Sequence, residues 1–317
     1  MSPMPSEPAM HDRLDRSGPA IEASGLWKAY GNIRAVDQVS FSVEHGEVFG
    51  LLGPNGAGKT TTLECLEGLR HPDGGTLKVL GIDPVREPRR MNGLIGVQLQ
   101  ASGLPGTMTC ADALRFFCAY HGVEPRWDLL DGFGLAELRT TRYDELSTGL
   151  QRRLALVLAI AHEPEVLILD EPTAGLDVAS RTELHRAIRA LRDRGTTVLL
   201  ATHDMAEAEQ LTDRVAILLR GRVVASGSPR ELTATGDGLT KISVRSDRGS
   251  LLADFDTPTT SQSSVSGDYL ILFTGDIAAT VTSVLDALET AGDPLIDLRV
   301  ERPSLEERFL ELTSVRS

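Results

Sequence analysis

The sequence predicts an α/β protein: a core on a mostly parallel sheet flanked by helices, followed by a small α+β unit. Three observations carry that prediction. Five short runs, "GEVFGLLG", "LIGVQLQ", "EVLILDE", "TTVLLAT" and "RVAILLRG", are dominated by Val, Ile and Leu and bounded by glycine, acid or threonine. Strands apolar on both sides belong in a sheet covered on both faces, where parallel sheets are found. Helical patterns separate these runs up to about Thr235, after which alternating strands and two amphipathic helices take over. A chain of 317 residues has room for one large core and a smaller unit.

In order, residues 1–20 hold four prolines among charged and small residues and read as a disordered lead-in. Residues 21–235 make the α/β core. Between about 101 and 163 strands give way to helices, a helical subdomain within that core. "TCADALRFFCAYHG" opens on Thr109 with Asp112 three residues on, a capping-box-like start, and closes at Gly122. "GLQRRLALVLAIAHEP", 149–162 in its helical part, is stopped by Pro164. Residues 238–317 read as ββαβα: strands "LTKISVRS" and "YLILFT", a helix from Asp276 to Gly292, strand "LIDLRV", and a last helix with a Ser304/Glu307 capping box.

Composition narrows the function classes. A net charge of −13 argues against a nucleic-acid partner or an anionic-membrane surface, both of which need clustered Lys and Arg. The basic run "VREPRRMN" reads as a solvated helix start. Cys65, Cys110 and Cys118 lack metal-like spacing and read as buried thiols in a reducing compartment. The longest apolar run, Leu154 to Ala161, falls far short of the ~20 residues that cross a bilayer. No secretory leader pattern is present, so a role at a membrane runs through a partner chain.

Two constellations carry chemistry. "GPNGAGKT", that is Gly53, Pro54, Asn55, Gly56, Ala57, Gly58, Lys59 and Thr60, lies between the apolar "VFGLL" and a helical stretch opening at Thr61. In that strand–loop–helix setting glycines let backbone N–H groups wrap phosphate oxygens, and the helix N-terminus adds its dipole. Lys59 reaches the β- and γ-phosphates, and Thr60 offers a hydroxyl to Mg²⁺. Further on, "EVLILDE" runs a strand straight into Asp170 and Glu171. Successive residues of an extended chain point to opposite sides, so Asp170 can hold Mg²⁺ while Glu171 orients a water.

With the phosphate loop, "LSTGLQ", "LILDEPTAGLD" and "ATHD" in order, residues 21–235 resemble the ATP-binding subunits of ABC transporters. The resemblance implies a P-loop NTPase core that binds and hydrolyses Mg-ATP, with the remaining roles carried over residue by residue. Tyr30 matches the aromatic that stacks on adenine. Gln100 matches the glutamine that touches Mg²⁺ and senses the transporter partner, with Gln98 as the alternative register. Asp177 matches the loop crossing to a second subunit, and His203 the histidine at the γ-phosphate. Ser147 and Gly149 fall in the signature segment that closes over ATP held by the other copy. Thr148 stands where the family has glycine and Leu150 where it has glutamine. A β-branched Thr148 is costly only at φ > 0.

The implied partners are a second ATP-binding subunit, as a homodimer, and an integral membrane permease at the cytoplasmic face of the cell membrane. The ending "ERPSLEERFLELT" resembles the extra domain on ATPases of bacterial drug and antibiotic exporters of the daunorubicin-resistance type, which favours export of a drug-like, antibiotic or lipid-like compound. Two rivals are a soluble ABC-type switch and a degenerate module that binds ATP without hydrolysing it. The first usually has two ATPase cores, a long coiled coil or a basic surface, unlike this acidic single-core chain. The second has only "LSTGL" in its favour.

Overall fold

The computed structural model describes residues 18–98, 103–234, 239–252, 255, 257–301 and 304–314. The lead-in up to residue 17, Gln100 and the stretch 235–238 lie outside these residues. The chain divides into two compact units, one ending at Ser226 and one beginning at Gly227.

The first unit runs β1 (Ile21–Tyr30), β2 (Ile33–Val43), β3 (Val48–Leu52), α1 (Lys59–Leu66), β4 (Gly74–Val79), α2 (Pro88–Met91) and β5 (Ile95–Gln98). It continues with α3 (Cys110–His121), α4 (Trp127–Gly132), α5 (Thr148–Ile160), β6 (Val166–Asp170), α6 (Val178–Asp193), β7 (Thr197–Thr202), α7 (Met205–Leu211), β8 (Arg214–Leu219) and β9 (Arg222–Gly227), which ends on the first residue past the division. Six strands form one sheet in the order β5-β6-β7-β3-β8-β9, with β5/β6, β6/β7, β7/β3 and β3/β8 parallel. The five apolar runs are five of its strands. Alternation explains why they read as unbroken: on β7, Leu199 and Ala201 enter one core while Val198 and Leu200 enter the core beneath α5, α6 and α7.

A three-stranded antiparallel sheet, β2-β1-β4, covers the first of those cores and gives it Ile21, Leu26, Val36, Val39, Val43 and Val79 among others. The periodicity did not single it out, because register shifts in β1 interrupt its alternation. The helical stretch has its own core of Cys110, Leu114, Cys118, Leu130, Leu154 and Val157. As expected, α3 is capped by Thr109, which accepts from the Asp112 N–H, and closes at Gly122 with φ 69. All three cysteines are free and buried.

The second unit contains α8 (Pro229–Ala234), β10 (Thr240–Ser246), β11 (Thr260–Ser266), β12 (Tyr269–Thr274), α9 (Ile277–Ala291), β13 (Leu295–Glu301) and α10 (Leu305–Ser314). Its antiparallel sheet has the order β11-β12-β10-β13. The expected ββαβα is therefore corrected to βββαβα after α8. The missed strand, "TSQSSVS", has no apolar alternation and exists by pairing with β12. Asp276 caps α9, and Ser304 and Glu307 form the reciprocal capping box of α10.

Candidate active site

The parallel register sets the C-terminal ends of three neighbouring strands side by side. Leu52 of β3 pairs with Thr202 of β7, and Ala201 pairs with Asp170 of β6. In open α/β sheets ligands bind outside such carboxyl ends. The segments that leave them are the glycine loop, the acid pair and His203.

The loop fits nothing bulkier than glycine at Gly58, where φ is 103 and a Cβ would fall 2.2 Å from the Ala35 carbonyl oxygen. Lys59 opens α1 with its side chain folded back over the loop, 5% exposed, donating to the Gly53 carbonyl at 2.7 Å. Its Nζ also lies 3.3 Å from Glu171 Oε1. On the other side of that carboxylate, His203 Nδ1 sits 2.8 Å from Glu171 Oε2. The His203 side chain is 54% exposed, whereas Glu171 is buried. Glu171 adopts φ 49, a left-handed conformation that costs a non-glycine residue ~1–3 kcal/mol and concentrates at functional sites. Its N–H donates to the Ala201 carbonyl at 2.9 Å, which anchors the turn.

Asp170 is buried and its Oδ2 accepts from Thr60 Oγ1 at 3.0 Å. Burial pushes its carboxyl upward, the Thr60 hydrogen bond works against that, and the Glu171 charge adds to the rise. Its Oδ1 is buried with no hydrogen-bond partner. A hydroxyl and a carboxylate oxygen awaiting a partner, beside a phosphate loop, suit a hard cation that takes its other ligands from phosphates and water. The residues present therefore fit Mg²⁺. No group of three or more His, Cys, Asp or Glu among the described residues could hold a metal unaided.

The remaining expected residues are placed as follows. Tyr30 ends β1, 42% exposed, with the Arg70 guanidinium 5.5 Å and Lys28 Nζ 5.8 Å from its ring centre. Gln98 ends β5 fully enclosed, and neither side-chain amide atom has a partner. Ser147 caps α5 through the Leu150 N–H at 3.4 Å. Thr148 is the first helical residue of α5, so its β-branch meets no left-handed strain. A Cβ on Gly149 would lie 2.9 Å from Ser180 Oγ, so glycine lets α5 start against the first turn of α6. Asp177 caps that helix by accepting from Ser180 N at 2.8 Å. Lys59, Thr60, Asp170, Glu171 and His203 are thus gathered in one place. Among the described contacts, Ser147, Gly149, Asp177 and Tyr30 make no hydrogen bond or ion pair with them.

A buried network behind the site escaped sequence reasoning. Glu207 of α7, 2% exposed, accepts from Thr173 Oγ1 and Thr202 Oγ1, each at 2.7 Å, and lies 3.2 Å from His185 Nε2. Thr173 follows Glu171 by two residues and Thr202 precedes His203, so one carboxylate holds both segments. The available signal was Asp204 followed three residues later by Glu207, a capping pattern whose second acid turns inward instead. Glu67, after α1, is a second buried acid: burial, then the Asp170 and Glu64 charges, push it up to about 7.

Known proteins resemble this chain in sequence and in fold. A family model described as ABC transporter matches residues 36–174. The daunorubicin/doxorubicin resistance ATP-binding protein DrrA of Streptomyces peucetius is 44% identical over 222 residues, 68% of this chain and 67% of its own length. A Nod factor export ATP-binding protein I of Paraburkholderia xenovorans (strain LB400) is 38% identical over 304 residues, covering 93% of this chain and 97% of that protein. Among solved structures, an ATP-binding subunit of an ABC transporter superposes with a TM-score of 0.63 at 28% identity, over 67% of this chain and 91% of the other.

Proposed function

This chain belongs to the family of ABC transporter ATP-binding proteins and is an exporter ATPase; from that premise we propose that two copies close over two Mg-ATP molecules and drive a drug-like, antibiotic or lipid-like compound out through a separate membrane subunit. No helix among the described residues is long and apolar enough to cross a membrane. The relatives named as resistance and export ATP-binding proteins support a place for this chain at the cytoplasmic face, beside a permease. Names of the relatives, drug resistance in one and Nod factor export in another, support export as the direction of transport.

One observation carries the reading: the phosphate-loop lysine, the acid pair and His203 converge at the ends of β3, β6 and β7. Backbone N–H groups of the loop from Gly53 to Thr60, with Thr61 in the first turn of α1, hold the phosphates, and Tyr30 offers its ring to the base. Thr60, Asp170 and Gln100 would hold Mg²⁺, which when bound offsets the polyphosphate charge. Lys59 and His203, both on Glu171 in the structure, have γ-phosphate oxygens to bind once ATP fills the loop. That leaves the Glu171 carboxylate to orient the water that attacks the γ-phosphorus as the bond to ADP breaks. Ser147, Gly149 and Asp177 complete the site held by the other copy.

Glu171→Gln tests this. The variant is expected to bind ATP as tightly as the unaltered chain, to lose at least a hundredfold in turnover, and to accumulate as an ATP-bound dimer. Turnover within twofold of the unaltered chain would remove Glu171 from its assigned role.

A further inference from the structure

We propose that Arg70 is a positioning residue for the nucleotide base: pinned by Glu64, its guanidinium holds the Tyr30 ring in the attitude that meets the base. That role rests on the reading of Tyr30 as the base platform and goes beyond it by naming what fixes the ring.

Tyr30 stands exposed at the end of β1, so packing against the core does little to fix its ring. Two cations lie against the ring instead. The Arg70 guanidinium is 5.5 Å and Lys28 Nζ 5.8 Å from its centre, both inside the ~6 Å reach of a cation–π contact. Each cation is tied down by a carboxylate. Arg70 Nε donates to Glu64 Oε2, and the Glu64 carbonyl accepts the Arg70 N–H at 3.0 Å, so one residue holds both the head and the backbone of Arg70. Lys28 donates to Asp73 Oδ1 at 2.8 Å, and Asp73 Oδ2 takes the Ala29 N–H at 2.8 Å.

Glu64 connects the Arg70 contact to the phosphate end of the site. It lies in α1, the helix that Lys59 opens on the phosphate loop, ~7.5 Å further along the axis. One helix therefore fixes the lysine at the phosphate end and, through Glu64 and Arg70, the ring at the base end. Lys28 precedes Tyr30 by two residues on the same strand, so it moves with the ring and does not tie it to the loop. Holding the fold is a poor account of the clamp. Arg70 and Glu64 are both partly exposed, and exposed ion pairs and cation–π contacts contribute little to stability. A fixed ring matters more on binding, because a side chain already ordered costs nothing to order when the ligand arrives.

The test is a double-mutant cycle on the full chain, read by calorimetry with two Mg²⁺-bound probes: the β,γ-imido analogue of ATP, and tripolyphosphate, which lacks sugar and base. Arg70→Gln should weaken the ATP analogue about three- to tenfold, the span expected when one side chain is left to be ordered on binding. Tripolyphosphate should stay within twofold of the unaltered chain, which also shows that the phosphate loop is folded. Tyr30→Ala should weaken the analogue at least as much, and in that background Arg70→Gln should add nothing, because Arg70 acts through the ring. If Tyr30→Ala spares the analogue, the reading of Tyr30 as base platform falls and the role of Arg70 with it. If Tyr30→Ala weakens the analogue and Arg70→Gln does not, only the role of Arg70 falls. Equal losses of both probes in Arg70→Gln would mark a charge that attracts phosphate at a distance and would overturn that role. An undiminished effect of Arg70→Gln in the Tyr30→Ala background would overturn it too.

Discussion

Glu207 offers the sharpest perturbation of the catalytic unit. Its carboxylate accepts from Thr173 and Thr202 at 2.7 Å and faces His185 at 3.2 Å, and all four residues are at most 4% exposed. Glu207→Ala removes the acceptor and leaves three buried polar groups unsatisfied, each costing ~1–3 kcal/mol if nothing replaces it. Thr202 Oγ1 retains the Asp204 N–H at 3.0 Å, and loss of a buried charge recovers part of the cost. The net destabilisation is about 3–5 kcal/mol, the low end of three such unsatisfied groups. Glu207→Gln keeps the volume and two of the bonding positions and should cost about 1–2 kcal/mol. Trp27 and Trp127, the two tryptophans, both lie in the first unit, so denaturant unfolding followed by tryptophan fluorescence reads that unit separately. In the Gln variant turnover should fall about tenfold or more with ATP affinity nearly unchanged, because the network holds Glu171 and His203 and not the phosphate loop. An Ala variant destabilised by less than ~1 kcal/mol, or a Gln variant whose losses lie in affinity, would refute the reasoning.

Two further outcomes follow from the same geometry. Burial raises Glu67 to about 7 from its ordinary 4.5, so its contribution to stability is complete below pH 4.5 and is lost as pH rises through 7; Glu67→Gln should therefore stabilise the first unit by about 2–3 kcal/mol at pH 8 and hardly at all at pH 5, and equal effects at both pH values in fluorescence-monitored unfolding would count against a buried, protonated carboxyl. Gly58→Ala forces a Cβ to within 2.2 Å of the Ala35 oxygen at φ 103, so ATP binding measured by calorimetry should weaken more than tenfold, and binding within twofold of the unaltered chain would show that the loop yields.

What the sequence revealed and what it concealed divide along one physical line. The phosphate loop and the acidic strand end were legible because their chemistry needs particular residue types at fixed local spacing: glycine where φ is positive at Gly58, a lysine at the first helical position, acids at the end of β6. The runs that became β6 and β7 were legible because burial on both faces leaves an unbroken apolar stretch in each, 166–169 and 198–201. β11 was not, because seven residues without apolar alternation become a strand only through a neighbour. Glu207 was not, because "MAEAEQL" has the composition of a solvated helix and its acid turns inward to partners 34 and 22 positions away. The same line runs through the site. Local spacing specifies which groups do chemistry, whereas a contact distant in sequence specifies where they stand: Glu171 stays in its left-handed turn and His203 stays within 2.8 Å of it in a structure where Thr173 and Thr202 share one buried carboxylate. A change that spares every motif residue but removes that carboxylate should therefore leave nucleotide bound and poorly hydrolysed, a defect that no inspection of the motifs would anticipate.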